Sequence, residues 1–140
     1  MLTPAKNCTN FKSSQLSRKL KRLYDAELAK AGLKSTQYSL LTHVARRGPI
    51  SATALANRIE IDTSTLSRNI KLLVRSGWLV MNVGEDARNR IITITPTGLA
   101  KQAEADVYWC QVQKKVNESL GEERITSLLS IIDECMERLK

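Results

Sequence analysis

The segment Asp62-Thr63-Ser64-Thr65-Leu66-Ser67-Arg68-Asn69-Ile70-Lys71-Leu72-Leu73 sorts two kinds of side chain onto opposite sides of a helix. Leu66, Ile70 and Leu73 fall on one face and would anchor it to a core. The other face carries Thr63, Ser64, Thr65, Ser67, Arg68 and Lys71, which are short hydroxyls and two cations. Short hydroxyls let a backbone approach closely and bond phosphates, and an arginine can bridge guanine O6 and N7. Such a helix fits a DNA major groove, with its N-terminal residues reaching the base edges. The same face would also suit an ordinary solvated helix capped by Asp62, so its surroundings must decide.

A second group supports the DNA reading. Asp86-Ala87-Arg88-Asn89-Arg90 puts two arginines at or beside the tip of a polar loop. Arginines there can enter a minor groove or clamp phosphates. Asp86 would repel DNA, and we assign it to holding Arg88 or Arg90 in position.

The elements that must carry these groups follow from periodicity and caps. Phe11, Leu16, Leu20, Leu23, Tyr24 and Leu28 form a helical stripe over about 11–31, closed by Gly32. Ser35 is placed to cap a second helix bearing Tyr38, Leu41, Val44 and Ala45, which Arg46-Arg47-Gly48-Pro49 ends. Ser51 opens a short helix with Leu55 and Ile59 inward, and Asp62 caps the next, which stops at Gly77. Only a few residues separate the two, which is helix-turn-helix spacing. Residues 78–83 and 90–95 are β-rich and flank the turn-prone stretch 84–89, so they read as a hairpin. Thr95 and Pro96 then suit the N-cap and first position of a long helix running to about Ser119 and broken at Gly121. Ile125, Leu128, Leu129, Ile132, Met136 and Leu139 give a last helix with a near-heptad seam.

The predicted fold is mainly α with a small β-hairpin wing. A winged helix-turn-helix over 35–95 lies between an N-terminal dimerisation helix (1–34) and C-terminal dimerisation helices (96–140). So small a unit cannot easily cover its terminal apolar stripes, and a second copy would bury them.

Composition narrows the function classes. Lys and Arg number 22 against 14 Asp and Glu, and the net charge of +8 suggests a polyanionic partner. One histidine (His43), three separated cysteines (Cys8, Cys110, Cys135) and no Gly-x-Gly leave metal sites, catalytic triads and phosphate loops poorly supplied. No metal or cofactor is expected, and an enzyme is disfavoured. Apolar runs are too short to span a bilayer and the N-terminus lacks a leader pattern, so no membrane association and a cytoplasmic location are expected.

The blocks Gly32-Leu33-Lys34-Ser35-Thr36-Gln37-Tyr38-Ser39-Leu40-Leu41, Leu55-Ala56-Asn57-Arg58, Thr65-Leu66-Ser67-Arg68, Asp86-Ala87-Arg88-Asn89-Arg90 and Ile94-Thr95-Pro96-Thr97-Gly98 occur in a specific order and spacing. With them the chain, from about Cys8 to its end, resembles the MarR family of winged-helix transcription regulators. The resemblance implies a homodimer with interleaved first and last helices, bound to a pseudo-palindromic operator on double-stranded DNA, usually as a repressor. It implies that Arg68 reads DNA and that Asp86 and Arg88 organise the wing. It also implies release by small phenolic or carboxylate effectors bound in a cleft between the dimer helices and the winged domain.

Parts of the first, second and fifth helices would line that cleft. Arg18 is the candidate cation and Tyr38 the candidate aromatic platform; the run Arg18-Lys19-Leu20-Lys21-Arg22-Leu23-Tyr24-Asp25 resembles one branch of the family. In simpler terms Arg18 sits on a solvated face, Tyr38 in the core and His43 at the surface. Another branch senses peroxides through a first-helix cysteine assisted by tyrosines, which makes Cys8, near Lys6, Lys12 and Tyr24, an alternative redox sensor. The sensing position of that branch aligns with Asn10 rather than Cys8, and Ser35 replaces one of its tyrosines. Cys110 and Cys135 are expected to be inert packing thiols. A small-molecule-binding dimer without DNA binding is the alternative of another class.

Overall fold

The computed structural model describes residues 7–83 and 90–140. Helix α1 (Thr9–Leu28) runs through a single 3-10 turn (Ala29–Ala31) to Gly32, whose φ of 75° is the left-handed conformation that favours glycine. Helix α2 (Ser35–Arg47) follows, then strand β1 (Ile50–Ser51), α3 (Ala52–Ile59) and α4 (Thr63–Arg75). Strands β2 (Leu79–Val83) and β3 (Arg90–Ile94) lead into α5 (Pro96–Leu120) and α6 (Glu122–Arg138). Among the described residues no helix is long and apolar enough to cross a membrane.

Three local features depart from expectation. The N-cap of α2 is Lys34, not Ser35. The Ser35 amide is taken by the Asp25 carboxylate (2.7 Å) and the Lys34 amide by Gln37 Oε1 (2.9 Å), so the helix starts one residue earlier. The sheet has three strands rather than two, in the order β1-β3-β2 and antiparallel throughout. The added strand pairs Ile50 with Ile92 and Ser51 with Ile91, which closes the free edge of β3. Finally, Cys110 and Cys135 are exposed, not packed, because they point away from the core of a single chain.

The core is one cluster centred on α2. Leu40, Leu41 and Val44 are essentially inaccessible and meet Leu28 of α1, Leu55 of α3, Leu66, Ile70 and Leu73 of α4, and Ile92 of β3. Ala105 brings α5 into the same cluster. Glu27 is buried at the α1–α5 contact, where Lys30 (2.8 Å) and Lys115 (3.8 Å) hold its carboxyl below the usual range.

Beyond that core, apolar surface is left over. Helix α6 has no buried residue, and Leu129, Ile131, Ile132 and Met136 are all roughly half exposed. Leu16 and Leu23 are exposed on α1, beside a groove of about 810 Å³ floored by Val112 and Val116 of α5.

The wing and α5 are locked together at one corner. Thr95 Oγ1 accepts from the Gly98 amide (2.9 Å) and donates to the Gly77 carbonyl (2.7 Å), while the Thr95 amide donates to the Trp78 carbonyl (3.0 Å). The backbone at Gly98 then lies so close to Trp78 that a Cβ would collide with its carbonyl oxygen and stand 2.8 Å from Ile94 Cγ1. Lys101 Nζ sits 5.4 Å from the centre of the Trp78 ring and donates to the Ala31 carbonyl at 3.0 Å, extending the lock to the 3-10 turn that follows α1. We therefore expect Gly98→Ala to cost about 1–3 kcal/mol through overpacking against rigid backbone. Urea unfolding measures it, and unchanged stability would show that the corner can open.

Candidate nucleic-acid interface

Helix α4 presents itself through the packing of its inner face. Leu66, Ile70 and Leu73 are buried, which turns Thr63, Ser64, Arg68 and Lys71 to solvent and leaves Thr65 and Ser67 half-buried. Helix α3 enters the turn before it with Glu60 at φ 53°, a left-handed residue that reverses the chain in a short space. The Ile61 amide closes that turn on the Ala56 carbonyl at 3.2 Å.

Asp62 organises the first turn of α4. Its Oδ1 accepts from the Thr65 amide (2.8 Å) and the Ser64 hydroxyl (2.7 Å), and its Oδ2 from the Thr65 hydroxyl (2.7 Å). Arg68 Nη2 in turn donates to Thr65 Oγ1 at 3.2 Å. These bonds, that of Ser64 first, hold the Asp62 carboxyl well below the usual carboxylate range. One acid thus aligns three side chains, Ser64 and Thr65 directly and Arg68 through Thr65. The hydroxyl protons of Ser64 and Thr65 are already committed, so both offer lone pairs outward, and Arg68 is the strong donor of the group.

At the wing, Val83 pairs with Arg90 as the last register position of the hairpin. Arg90 is exposed there. Asp86 and Arg88 lie outside the described residues.

A separate cavity of about 260 Å³ lies between α1, α2 and α5. Tyr38 lines it but is largely committed to the core: its ring stacks on Trp109 at 6.2 Å and its hydroxyl donates to Asp106 at 2.5 Å. Burial first, then Asp106, push its phenol up to about 12. Tyr24, in the same cavity, donates to Gln113 at 2.6 Å. Arg18 is elsewhere. It lies on the exposed face of α1 with Lys12, Lys19 and Arg22, so the two effector candidates are not brought together within one chain.

His43 is half-buried rather than a plain surface residue, with its Nδ1 2.7 Å from the Ser39 carbonyl oxygen. Trp109, Asp106 and Arg46 were not singled out from the sequence. A polar residue one helical turn before a tryptophan on the long helix was the available signal, but its partner Tyr38 is remote in sequence.

Cys8 is exposed and precedes α1 as its N-cap, its Sγ accepting from the Phe11 amide at 3.4 Å. Tyr24 is on the order of 24 Å further along the helix axis, so within one chain it cannot assist that thiol.

Comparison with known proteins agrees with this architecture. A family model described as the MarR family matches residues 31–88. The transcriptional regulator MosR of M. tuberculosis, crystallised in complex with DNA, is 29% identical over 96% of this chain and 99% of its own, with a TM-score of 0.81.

The chain thus resembles the MarR family.

The proteins it matches are described as transcriptional regulators. An HTH-type regulator of Bacillus subtilis, YwoH, itself uncharacterized, is 25% identical over 103 residues, covering 74% of this chain and 75% of that protein. The PcaV regulator of Streptomyces coelicolor, crystallised with its natural ligand, superposes with a TM-score of 0.86 over 100% of this chain and 99% of its own. At 16% identity that likeness concerns the fold alone. In this chain the second helix of the helix-turn-helix is α4, and β2 and β3 are the paired strands of the wing.

The depressed Asp62 carboxyl has a pH consequence. Its stabilising contribution is present above the unfolded carboxylate value, about 3.9, and is lost as pH falls through the lower folded value. Thermal unfolding should find Asp62→Asn less stable than wild type near neutrality, with the gap closing as the solution is acidified below that value. A gap independent of pH would mean that the charge of Asp62 is immaterial.

Proposed function

We propose that this chain is a homodimeric, sequence-specific DNA-binding repressor of transcription, released by a small aromatic or carboxylate effector. The observation that carries the reading is the outward face of α4, where Asp62 fixes the first turn and Arg68 projects beside it. Residues 35–95 read DNA, and residues 1–34 and 96–140 pair two copies. Thr63, Ser64, Thr65, Ser67, Arg68 and Lys71 face the major groove, while Arg88 and Arg90 engage the backbone or minor groove from a wing organised by Asp86. Two heads related by a dyad match a pseudo-palindromic operator with half-site centres about one turn, roughly 10 bp, apart. MosR, the relative crystallised with DNA, supports this partner.

Dimerisation is supported by α6, which buries nothing within its own chain, and by the apolar groove between α1 and α5. Effector release is supported by the cavity at Tyr38 and Trp109 and by the ligand complex of the structurally similar PcaV. A bound effector would bear on α2, the helix that packs against both α5 and α4.

Two measurements test this. Selection from a random duplex pool at near-physiological salt should return an inverted repeat, and Arg68→Ala should relax preference at one position per half-site at a cost of about 1–3 kcal/mol. Recovery of no motif, with binding that disappears as salt rises, would reduce the interaction to phosphate attraction. Light scattering should give twice the 15.7 kDa chain mass for the wild type, and Ile132→Asp should return one chain mass with helix content kept. A wild-type monomer at micromolar concentration would overturn the dimer.

A further inference from the structure

The first part of α1 concentrates charge. From Thr9 to Tyr24 the chain carries five cations and no acid, more than half of its net charge of +8. At about 3.6 residues per turn, Lys12, Arg18, Lys19 and Arg22 fall on the side of the helix opposite Leu20, Tyr24 and Leu28, which turn toward α5 and the core. All four are exposed, and among the described residues none lies within ion-pair distance of a carboxylate.

The acids of α6 are already engaged. Glu134 pairs with Arg138 (3.4 Å) and Glu137 with Lys140 (3.1 Å), while Glu122 and Glu123 occupy the first turn of α6, where the helix dipole favours them. A second copy docked through α6 therefore brings little unpaired acid to this face. The face is also remote from the wing. It belongs to the part of α1 that lies along Val112 and Val116, and about 21–27 Å of α5 separates those residues from Gly98 at the wing corner.

We propose that the outer face of α1 binds the phosphate backbone of a second DNA duplex, so that a dimer seated on its operator through α4 holds another segment of DNA elsewhere on its surface. The inference rests on the operator-binding reading above and adds to it a surface indifferent to sequence. Lys12 to Arg22 spans about 15 Å, and one strand of a duplex presents a charge about every 3.4 Å of axis, so four cations face about four phosphates. Such contacts position DNA without reading bases. An anionic bilayer is a poorer match. An interfacial helix needs an apolar face to bury, and Leu16 and Leu23 border the groove floored by Val112 and Val116 instead. A regulator with this surface would draw together DNA segments that lie far apart along the chromosome.

The test fixes the selected operator to beads, saturates it with full-length protein, and offers a fluorescent duplex of random sequence. Wild type should capture that duplex at about 50 mM salt, with log affinity falling against log salt at a slope of about −3.6. A triple variant, Arg18→Gln with Lys19→Gln and Arg22→Gln, should lose about 2.7 of that slope and capture on the order of tenfold less or worse. Its affinity for the operator should stay within about twofold, because those contacts belong to α4 and the wing. Arg68→Ala should relax operator preference and leave capture per bound protein unchanged.

Capture unchanged in the triple variant would put the second duplex on the reading heads and overturn the proposal. So would a triple variant whose operator affinity and salt slope fall together, since the face would then touch the duplex that α4 reads. Preference for phosphatidylserine vesicles over the second duplex, lost in the triple variant, would make this a membrane surface and overturn it as well. Operator binding with no capture by wild type would sink this inference alone. Should selection return no operator, the random duplex is titrated directly onto the protein; binding that the triple variant loses and Arg68→Ala keeps would support the α1 face and sink the regulator reading.

Discussion

Everything in this molecule leans on the burial of α2. A chain of 140 residues can afford one core, and Leu40, Leu41 and Val44 sit at its centre. Helices α1 and α5, helix α4 and strand β3 all touch that one helix. Such close packing transmits small displacements instead of absorbing them. The same helix carries Tyr38, His43 and Arg46 to the cavity it shares with α1 and α5, so whatever sits there presses on a helix that also packs against the helix-turn-helix. Two sites therefore need no long relay between them.

The reading head is itself ordered by polar rather than apolar contacts. Leu66, Ile70 and Leu73 fix where α4 lies, but they say nothing about how its outer side chains are posed. Asp62 does that, by drawing Ser64 and Thr65 into one hydrogen-bonded set and, through Thr65, steadying Arg68. Less rotamer freedom then remains to be lost when a base edge is met. An aspartate on a face proposed to meet DNA looks unhelpful by charge alone. Its satisfied bonds explain how it can be accommodated there.

Much of this was legible in the residue order. The inner stripe of α4, the Asp62 cap, the Thr95-Pro96 start of α5 and the unfilled seam of α6 are local patterns with periods or caps that a sequence displays directly. What escaped depends on partners distant in the chain. Strand β1 is two residues long, too short for any alternation, and exists only because β3 offers an edge. Ser35 lost the capping position to Lys34 because Asp25, on another helix, claimed its amide. The same holds at the cavity between α1, α2 and α5, where Tyr38 meets Asp106 and Trp109 across a tertiary contact.

The separation of α6 from α4 has a genetic corollary. In a pair of chains joined through α6, one that has lost Arg68 still carries an intact joining surface. Expressed beside the normal protein, it would draw normal partners into hybrids with a single competent head. A chain damaged in α6 would instead stay out of every pair. Alleles of the first kind would thus be dominant and those of the second recessive, an asymmetry that follows if α6 holds the proposed dimer and α4 reads the groove.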